Sequence, residues 1–261
     1  MNESRRRFLT RAGMTALGLG TLPLFRSTTN ASGGGKPAYE LGQKQWGMVI
    51  DIRRCQRPGV MEAAVAACHQ QHNVPDIDDP KREVKWLWTE KFEKVFSDQV
   101  HQYTREAVKE LPTPVLCNHC EHPSCVKVCP TKATWKRESD GIVMMDMHRC
   151  IGCRYCIAAC PYGARSFNWR DPRPYIEEIY SGYPTRTKGV VEKCNFCAER
   201  LRNGQQPACV EAVSQVPGGQ HALVFGDLSD SSAVINRILR RKHTIRRRPG
   251  LGTMPNVFYV I

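Results

Sequence analysis

The sequence predicts an α+β protein in which short helices and strands are arranged around cysteine side chains. Thirteen of the 261 residues are cysteine, and an odd number argues against a closed set of disulfides. Hydrophobic residues make up 41% of the chain, a little less than a purely apolar core would need. Apolar patterns of the strand and helix types alternate with loops rich in proline. These observations fit one large domain or two small ones whose interior is not filled by apolar side chains alone.

Three elements are predicted in the first part of the chain. Residues 46–52 read as a short apolar strand, and the alanine-rich residues 60–68 read as a helix. Residues 84–89 alternate in character, which favours a partly buried strand, although the period of four from Trp88 to Phe96 would also suit a helix. We expect the aromatic residues of this region to lie in the core or to cover a metal centre.

Further elements are predicted in the second part. Residues 133–146 should form a β-hairpin, because two strand-like runs flank Asp140 and Gly141, a strong turn signal. Loops rich in proline follow this region. Residues 232–241 read as a helix, and the chain ends in an apolar run at residues 257–261.

Two runs of four cysteines, each closed by a proline, dominate the middle of the chain. The second run has the spacing C-x2-C-x2-C-x3-C-P of bacterial [4Fe-4S] ferredoxins, and the first has two extra residues before its third cysteine. Three closely spaced thiolates can bind one iron–sulfur cube, while the fourth cysteine ligates the other cube in two-cluster ferredoxins. We therefore expect two clusters, the first bound by Cys117, Cys120, Cys125 and Cys160 and the second by Cys150, Cys153, Cys156 and Cys129.

Disulfides and tetrahedral zinc are the alternative interpretations of repeated C-x2-C pairs. Zinc sites usually use two ligand pairs and give no reason for the longer run, so iron–sulfur clusters are favoured. Pro130 and Pro161 lack an N–H group and fix φ, which helps to turn the chain away from a cluster. His119 and His122 lie among the cysteines, but we expect them to support the ligands or to face solvent.

The charge of the chain limits the classes of partner. The net charge is +13, and residues 1–31 hold five arginines and one glutamate, so the remainder carries +9. A basic surface can meet nucleic acid, an acidic redox partner or anionic lipid. Because no nucleic-acid-binding motif accompanies the charge, no nucleic acid is expected as a partner.

The amino terminus resembles an export signal. Residues 4–10, with the adjacent Arg5 and Arg6, are similar to the twin-arginine (Tat) motif, and the weakly apolar residues 12–25 are too short and too interrupted to span a bilayer. A basic tail is the alternative. Because of this resemblance, we predict a signal peptide at residues 1–31 and export to the periplasmic side of the cytoplasmic membrane. The Tat pathway carries folded proteins, which suits a protein that receives its clusters before export. Cleavage after Ala31 and retention as an anchor both remain open.

Residues 32–261 resemble the four-cluster, ferredoxin-like iron–sulfur subunits of molybdopterin oxidoreductase type, which partner NrfD-like membrane proteins. In that family the two central cysteine runs form one ferredoxin-like pair and the two outer runs form another. The resemblance implies duplicated bacterial-ferredoxin-like (4Fe-4S) modules with loop-rich insertions. The inner module would span residues 112–170, and the outer, degenerate module would combine residues 44–80 with 188–230. It also implies electron transfer without catalytic residues, with an NrfD-like integral membrane subunit and a multihaem cytochrome c as partners.

The outer cysteine runs depart from the family pattern. The first keeps only Cys55 and Cys68, and the last has Val213 where its fourth cysteine should be. By the same exchange of fourth ligands, the resemblance implies one outer cluster, bound by Cys68, Cys194, Cys197 and Cys209. The other outer cluster would retain Cys55 alone and cannot form. Cys68 could instead be a core residue, which would leave a [3Fe-4S] or open site. Cys55 could be a buried free thiol or could have an intermolecular or regulatory role.

Three [4Fe-4S] clusters with twelve cysteine ligands are the resulting expectation, in a protein that relays single electrons in sulfur metabolism. The first alternative is the iron–sulfur subunit of a periplasmic hydrogenase, polysulfide reductase or tetrathionate reductase, for which four clusters are expected. The second is a zinc-bound structural protein.

Overall fold

Short elements joined by long loops make up the structure, a computed structural model that describes residues 44–261. Its strands are β1 (Trp46–Asp51), β2 (Leu87–Lys91), β3 (Pro112–Leu116), β4 (Thr134–Lys136), β5 (Val143–Met145), β6 (Ser166–Phe167), β7 (Val191–Glu192), β8 (Leu223–Asp227), β9 (Thr244–Ile245) and β10 (Val257–Val260). Its α-helices are α1 (Ile52–Cys55), α2 (Val60–His72), α3 (Phe92–Val95), α4 (Glu106–Lys109), α5 (Ser124–Lys127), α6 (Tyr155–Ala159), α7 (Ala198–Arg202), α8 (Ala208–Gln215) and α9 (Val234–Arg241). The predicted signal peptide, with Arg5 and Arg6, lies outside the described residues. The mixture of helices and strands agrees with the predicted α+β class.

A four-stranded sheet in the order β8-β1-β10-β9 forms the largest regular unit. β1 pairs in parallel with β10 and antiparallel with β8. Met48 and Ile50 of β1 face the main core, whereas Val49 faces a smaller core that contains Ile235 of α9. Both faces of β1 are therefore buried, which explains why its sequence is continuously apolar instead of alternating.

Helix α2 carries one buried stripe along its length. Val60, Ala64, Cys68 and His72 are all buried, and their spacing of four places them on one face of the helix. The helix packs against α8 and ends at His72, because Asn73 adopts a left-handed conformation (φ 50°), which agrees with the end that residues 72–75 predict. The thiol of Cys68 thus faces the protein interior.

The predicted hairpin at residues 133–146 is present as β4 and β5. Gly141 adopts φ +74° at the turn, and Nε of Arg137 donates a hydrogen bond to Oδ1 of Asp140 at 2.8 Å. The ambiguous residues 84–96 contain both predicted patterns in succession. β2 covers residues 87–91 and the short helix α3 follows it directly, with Phe92 as its first residue and Phe96 immediately after its last.

The C-terminal segment fastens the first cysteine run to the sheet. The Glu121 N–H donates to the carbonyl of Met254 at 2.8 Å. The Asn256 N–H donates to the carbonyl of Asn118 at 2.9 Å, immediately before β10 begins. Residues distant in sequence thereby fix the loop that carries Cys117 and Cys120. Within residues 44–261, no helix is long and apolar enough to cross a membrane.

Candidate metal centres

Two groups of cysteines each line a cavity in the middle of the chain. Site 1 is formed by Cys117, Cys120, Cys125 and Cys160. Site 2 is formed by Cys129, Cys150, Cys153 and Cys156. Each group takes three cysteines from one run and the fourth from the other, because the short helices α5 and α6 end by turning the last cysteine of each run towards the neighbouring site.

A third group of cysteines, site 3, lies between α2, the loop after β7 and α8. Its members are Cys68, Cys194, Cys197 and Cys209, and all four are buried. Burial raises the pKa of the Cys68 thiol well above its ordinary value, and Cys194, Cys209 and Cys197 raise it further. The Ala208 N–H, next to Cys209, donates to Sγ of Cys197 at 3.4 Å, so the loop after β7 and the start of α8 meet at these thiols.

The electrostatics of these groups fit a cationic centre with thiolate ligands. Burial, and then the neighbouring Cys117, raise the pKa of Cys120 to about 12. Burial alone is the main cause that raises the pKa of Cys209 to about 12. Four buried thiols cannot all ionise side by side without a compensating positive centre. An iron–sulfur cluster provides that centre and takes four cysteine thiolates, so the donor set of each group fits a [4Fe-4S] cluster.

Three C-x2-C loops share one backbone conformation. The residue before the second cysteine has positive φ in each of them: 41° at His119, 69° at Gly152 and 55° at Phe196. Left-handed residues in tight loops turn successive N–H groups towards one concave side, where they favour an anion. The Phe196 N–H accordingly donates to Sγ of Cys194 at 3.4 Å. These loops are therefore shaped to stabilise thiolate charge.

Gly152 is the only one of these three residues without a side chain, and its surroundings explain why. A Cβ atom at this position would lie 2.3 Å from the carbonyl oxygen of Gly189 and 3.2 Å from the ring of Phe167. Contacts below 3.0 Å force the backbone to move. The loop of site 2 thus depends on glycine for packing as well as for conformation.

Arg165 lies between sites 1 and 2. Its side chain is buried, and Nη2 donates to Sγ of Cys125 at 3.1 Å and to the hydroxyl of Thr134 at 2.7 Å. It also acts on Cys156 of site 2, where it opposes the rise in pKa that burial causes. One buried guanidinium therefore serves thiols of both sites.

Sites 1 and 3 also adjoin. Burial raises the pKa of Cys194, and the largest contribution from another residue comes from Cys117 of site 1. The rings of His119 and Phe196 stack at 3.7 Å between the two loops. The buried Lys193 donates to the carbonyl of Cys194 at 2.7 Å. Burial lowers the pKa of His119 well below its ordinary value, and Lys193 and then Arg165 add to the effect, so this imidazole is neutral.

A buried polar network borders site 3. Nη2 of Arg186 lies 2.5 Å from Oε2 of Glu192, and both side chains are fully buried. Glu192 also accepts hydrogen bonds from Nε1 of Trp86 at 2.7 Å and Nδ2 of Asn168 at 2.5 Å. Arg186 donates to the carbonyl of His72, the last residue of α2. The network thus connects the helix of Cys68 to β7 and to Asn168, the residue after β6.

His72 sits at the edge of site 3. Its Nε2 lies 2.9 Å from Oε1 of Glu199, and its Nδ1 lies 2.9 Å from the Cys68 carbonyl and 4.0 Å from the Cys68 thiol. Ligand atoms of His72, Glu199 and Cys197 lie within 4.8 Å of one another. Because both ring nitrogens already have partners and Cys197 belongs to site 3, this trio supports the site instead of forming another one.

Cys55 stands apart from the three groups. Its thiol contacts the carbonyl of Ala222 at 3.7 Å, and burial, with Asp51 as a second cause, raises its pKa to about 12. Val213 is fully buried where a fourth ligand of the last run would lie. A Cβ atom at Gly219 would lie 2.3 Å from the carbonyl oxygen of Val213, 3.2 Å from that of Val216 and 3.2 Å from a methyl group of Val60. Backbone atoms and an apolar side chain thus occupy the surroundings of Val213.

The structure accordingly brings together every set of four cysteines that the sequence predicts. It also adds residues that the sequence alone did not assign to the sites. The bond from Arg165 to Cys125 and the stack of His119 on Phe196 could not be read from spacing, because their partners are 40 and 77 positions away. The only sequence signal was an arginine five residues after the last cysteine of the second run.

Comparisons with known proteins agree with this chemistry. A family model described as a 4Fe-4S dicluster domain matches residues 108–173, a stretch that contains all the cysteines of sites 1 and 2. The Hdr-like menaquinol oxidoreductase iron–sulfur subunit 1 of Archaeoglobus fulgidus is 41% identical, over 98% of this chain and 97% of its own length. The menaquinone reductase iron–sulfur cluster-binding subunit of Nitratidesulfovibrio vulgaris is 35% identical, over 83% and 88%. The B subunit of polysulfide reductase from Wolinella succinogenes is also 35% identical, over 83% and 94%.

Proposed function

Since this chain belongs to the family of iron–sulfur subunits that includes subunit 1 of the Hdr-like menaquinol oxidoreductase and the B subunit of polysulfide reductase, we propose that it relays single electrons through three [4Fe-4S] clusters. The family's members are iron–sulfur subunits of larger oxidoreductase complexes, and this chain has the same role. It carries electrons and does not itself catalyse bond chemistry.

The grouping of the cysteines carries this proposal. Twelve of the thirteen fall into three sets of four, and each set meets at one point of the fold. The ligands are those of sites 1, 2 and 3 as defined above. The outer module is a degenerate copy of the inner one, in which Val213 and its apolar neighbours replace a fourth cluster.

The order of the relay follows from which sites adjoin. Site 1 shares Arg165 with site 2, and its Cys117 lies near Cys194 of site 3. Site 1 therefore holds the middle cluster of the relay. Each cluster supplies one-electron chemistry with little rearrangement, and Arg165, Lys193 and the backbone N–H groups of the loops stabilise its negative charge.

The wider setting belongs to the same proposal. A three-cluster pattern behind a Tat-like signal most resembles DsrO, the periplasmic iron–sulfur subunit of the DsrMKJOP complex of dissimilatory sulfur metabolism. The partners are then an NrfD-like, quinone-interacting membrane subunit of the DsrP type and a multihaem cytochrome c of the DsrJ type. The protein lies on the periplasmic side of the cytoplasmic membrane, exported by the Tat pathway and held there by its membrane partner.

The metal content of the purified protein tests the proposal. Three [4Fe-4S] clusters require about twelve irons and about twelve acid-labile sulfides per chain. Cys55→Ser is expected to leave both values unchanged, because this thiol lies outside the three sites. Cys68→Ser is expected to lose about four irons, or about one if a [3Fe-4S] cluster replaces the original.

Three results would contradict this assignment. About sixteen irons in the wild-type protein would mean that a fourth cluster exists and would favour the subunit of a periplasmic hydrogenase, polysulfide reductase or tetrathionate reductase. Zinc without acid-labile sulfide would indicate a structural zinc protein. A fall in iron content on changing Cys55 would show that the grouping of the cysteines is wrong.

Gly152→Ala is expected to remove the cluster of site 2. The new methyl group would meet the Gly189 carbonyl and displace the loop of Cys150 and Cys153, so about four irons should be lost. Gly163→Ala is the matched control, because Gly163 also has positive φ (64°) but has no atom within 4 Å of the added methyl group. The control should cost about 1 kcal/mol of stability and no iron. Equal iron contents in the two variants would exclude the packing explanation.

A further inference from the structure

Exposed aromatic and apolar side chains gather beside site 2. Ile151, Tyr155 and Trp169 have 67%, 62% and 45% of their surface exposed. Arg154 lies over the rings of Trp169 and Phe167, with its guanidinium carbon 4.8 and 5.5 Å from their centroids. The rings of Phe167 and Trp169 pack edge to face at 4.7 Å. We refer to these five residues as the site 2 patch.

The patch is continuous with the candidate metal centre. Ile151 and Arg154 line the cavity of site 2, and Gly152 between them packs against Phe167. Three thiols of site 2, those of Cys129, Cys150 and Cys153, are partly exposed, whereas all four thiols of site 3 are buried. Site 1 has two partly exposed thiols, those of Cys125 and Cys160, so site 2 has the largest number of exposed thiols among the three sites, and the patch lies beside it.

The composition of the patch is that of a binding surface. Single exposed apolar residues are ordinary, but contiguous ones mark interaction sites. Tryptophan, tyrosine and arginine are the residues that contribute most to binding when a partner covers them. Here Arg154 already lies over two aromatic rings, so little side-chain freedom remains to be lost on docking.

The charge around the patch selects the kind of partner. Exposed cations flank it: Arg154 itself, Arg170 after Trp169, and Lys188 next to the glycine that contacts Gly152. Two acids of the adjoining segments are each engaged by an arginine, Asp146 by Arg149 at 3.3 Å and Asp171 by Arg173 at 3.4 Å. A partner with an acidic rim would complement this surface.

We infer that the site 2 patch is the docking surface for an acidic one-electron carrier protein, which receives or delivers electrons at site 2. This inference rests on the proposed function, because the inference takes site 2 as the end of the electron relay. The partner presents carboxylates around the exposed edge of its redox group. The aromatic residues of the patch supply the dry centre of the interface, and the surrounding cations orient the partner.

Binding and electron transfer to a defined probe test the inference. The probe is a purified acidic multihaem cytochrome c, and the full, cluster-loaded chain is titrated with it by calorimetry. Trp169→Ser and Lys188→Glu are each expected to raise the Kd about tenfold. The second-order rate constant of electron transfer, measured by stopped flow, should fall in parallel and should fall with rising salt in the wild type.

Matched controls separate the patch from general effects. Tyr103→Ser removes another exposed aromatic residue, and Arg241→Glu reverses a charge on α9. Both should leave the Kd unchanged, and all four variants should keep the wild-type iron content. An unchanged Kd in Trp169→Ser, or an equal loss in the controls, would overturn the inference. A wild-type dimer that dissociates in Trp169→Ser would also overturn it, because the patch would then join two copies of this chain. Binding of anionic vesicles by the wild type but not by Trp169→Ser would overturn it as well, because the patch would then bind lipid.

The same experiment distinguishes failure of the inference from failure of the proposed function. Ferricyanide, a small inorganic oxidant, should oxidise the dithionite-reduced protein whether or not the patch is altered. A wild-type protein that reacts with ferricyanide but neither binds nor reduces the acidic cytochrome contradicts the docking surface alone. A protein without iron and without a reducible centre contradicts the electron relay itself.

Discussion

Replacing Arg186 by methionine is expected to lower the apparent melting temperature by about 10 °C. The change leaves the carboxylate of Glu192 buried without its cation, and breaking a buried ion pair in this way costs about 3–5 kcal/mol. For a domain of this size each 1 kcal/mol corresponds to about 2–4 °C. The hydrogen bond to the carbonyl of His72 is lost as well, so α2 should loosen next to Cys68.

Differential scanning calorimetry, with cluster bleaching followed in parallel, measures this effect. Arg173→Met is the control, because its pair with Asp171 is half exposed and such surface pairs contribute about 0–1 kcal/mol. The cluster proposed for site 3 should bleach first in Arg186→Met, since the network borders that site. If both variants melt within about 2 °C of the wild type, the buried network does not hold the fold together.

Replacing Arg165 by methionine is expected to lower the reduction potential of the site 1 and site 2 clusters by roughly 100 mV. Reduction adds one negative charge, and a buried cation 3.1 Å from Sγ of Cys125 favours that form. Two unit charges about 5 Å apart, in a medium with an effective dielectric constant of about 20, interact by about 3 kcal/mol. For a one-electron couple, about 59 mV corresponds to each tenfold change in the equilibrium constant, which gives the expected shift.

Redox titrations followed by electron paramagnetic resonance resolve the individual clusters. Site 3 provides an internal control, because Arg165 contacts a thiol of site 1 and acts on a thiol of site 2, but contacts none of site 3. Arg165→Lys keeps the charge but loses the paired donation to Cys125 and Thr134, so it should recover most of the shift. Equal shifts in all three clusters, or none in any, would show that Arg165 does not tune sites 1 and 2.

Several parts of the fold were predictable because their causes are local. The strand at Trp46–Asp51 and the hairpin around Gly141 agree with the expectations from apolar runs and turn residues. The helix at Val234–Arg241 begins two residues later than predicted and ends as expected. The strand expected at residues 84–89 lies at residues 87–91, because its register is set by pairing with β3 and not by its own alternation.

Other parts depend on contacts that spacing does not reveal. β10 pairs in parallel with β1, from the opposite end of the described chain, and no local pattern indicates this partner. The tail also holds the loop of the first cysteine run through the carbonyl of Met254. The apolar end of the chain was evident from the sequence, but its position beside Cys117 and Cys120 was not.

What the sequence determined by itself is the kind of chemistry, through the number and spacing of the cysteines. A C-x2-C loop is short enough for its own geometry to dictate how its thiols can meet, so spacing predicts how the cysteines of sites 1 and 2 are grouped. Only the tertiary structure decided what surrounds the thiols. Arg165 beside Cys125, the stack of His119 on Phe196, and the exposed patch at Trp169 arise from long-range packing, which fixes the local charge and the access to solvent. Potentials and docking depend on those two quantities, so they follow from the fold and not from the motif.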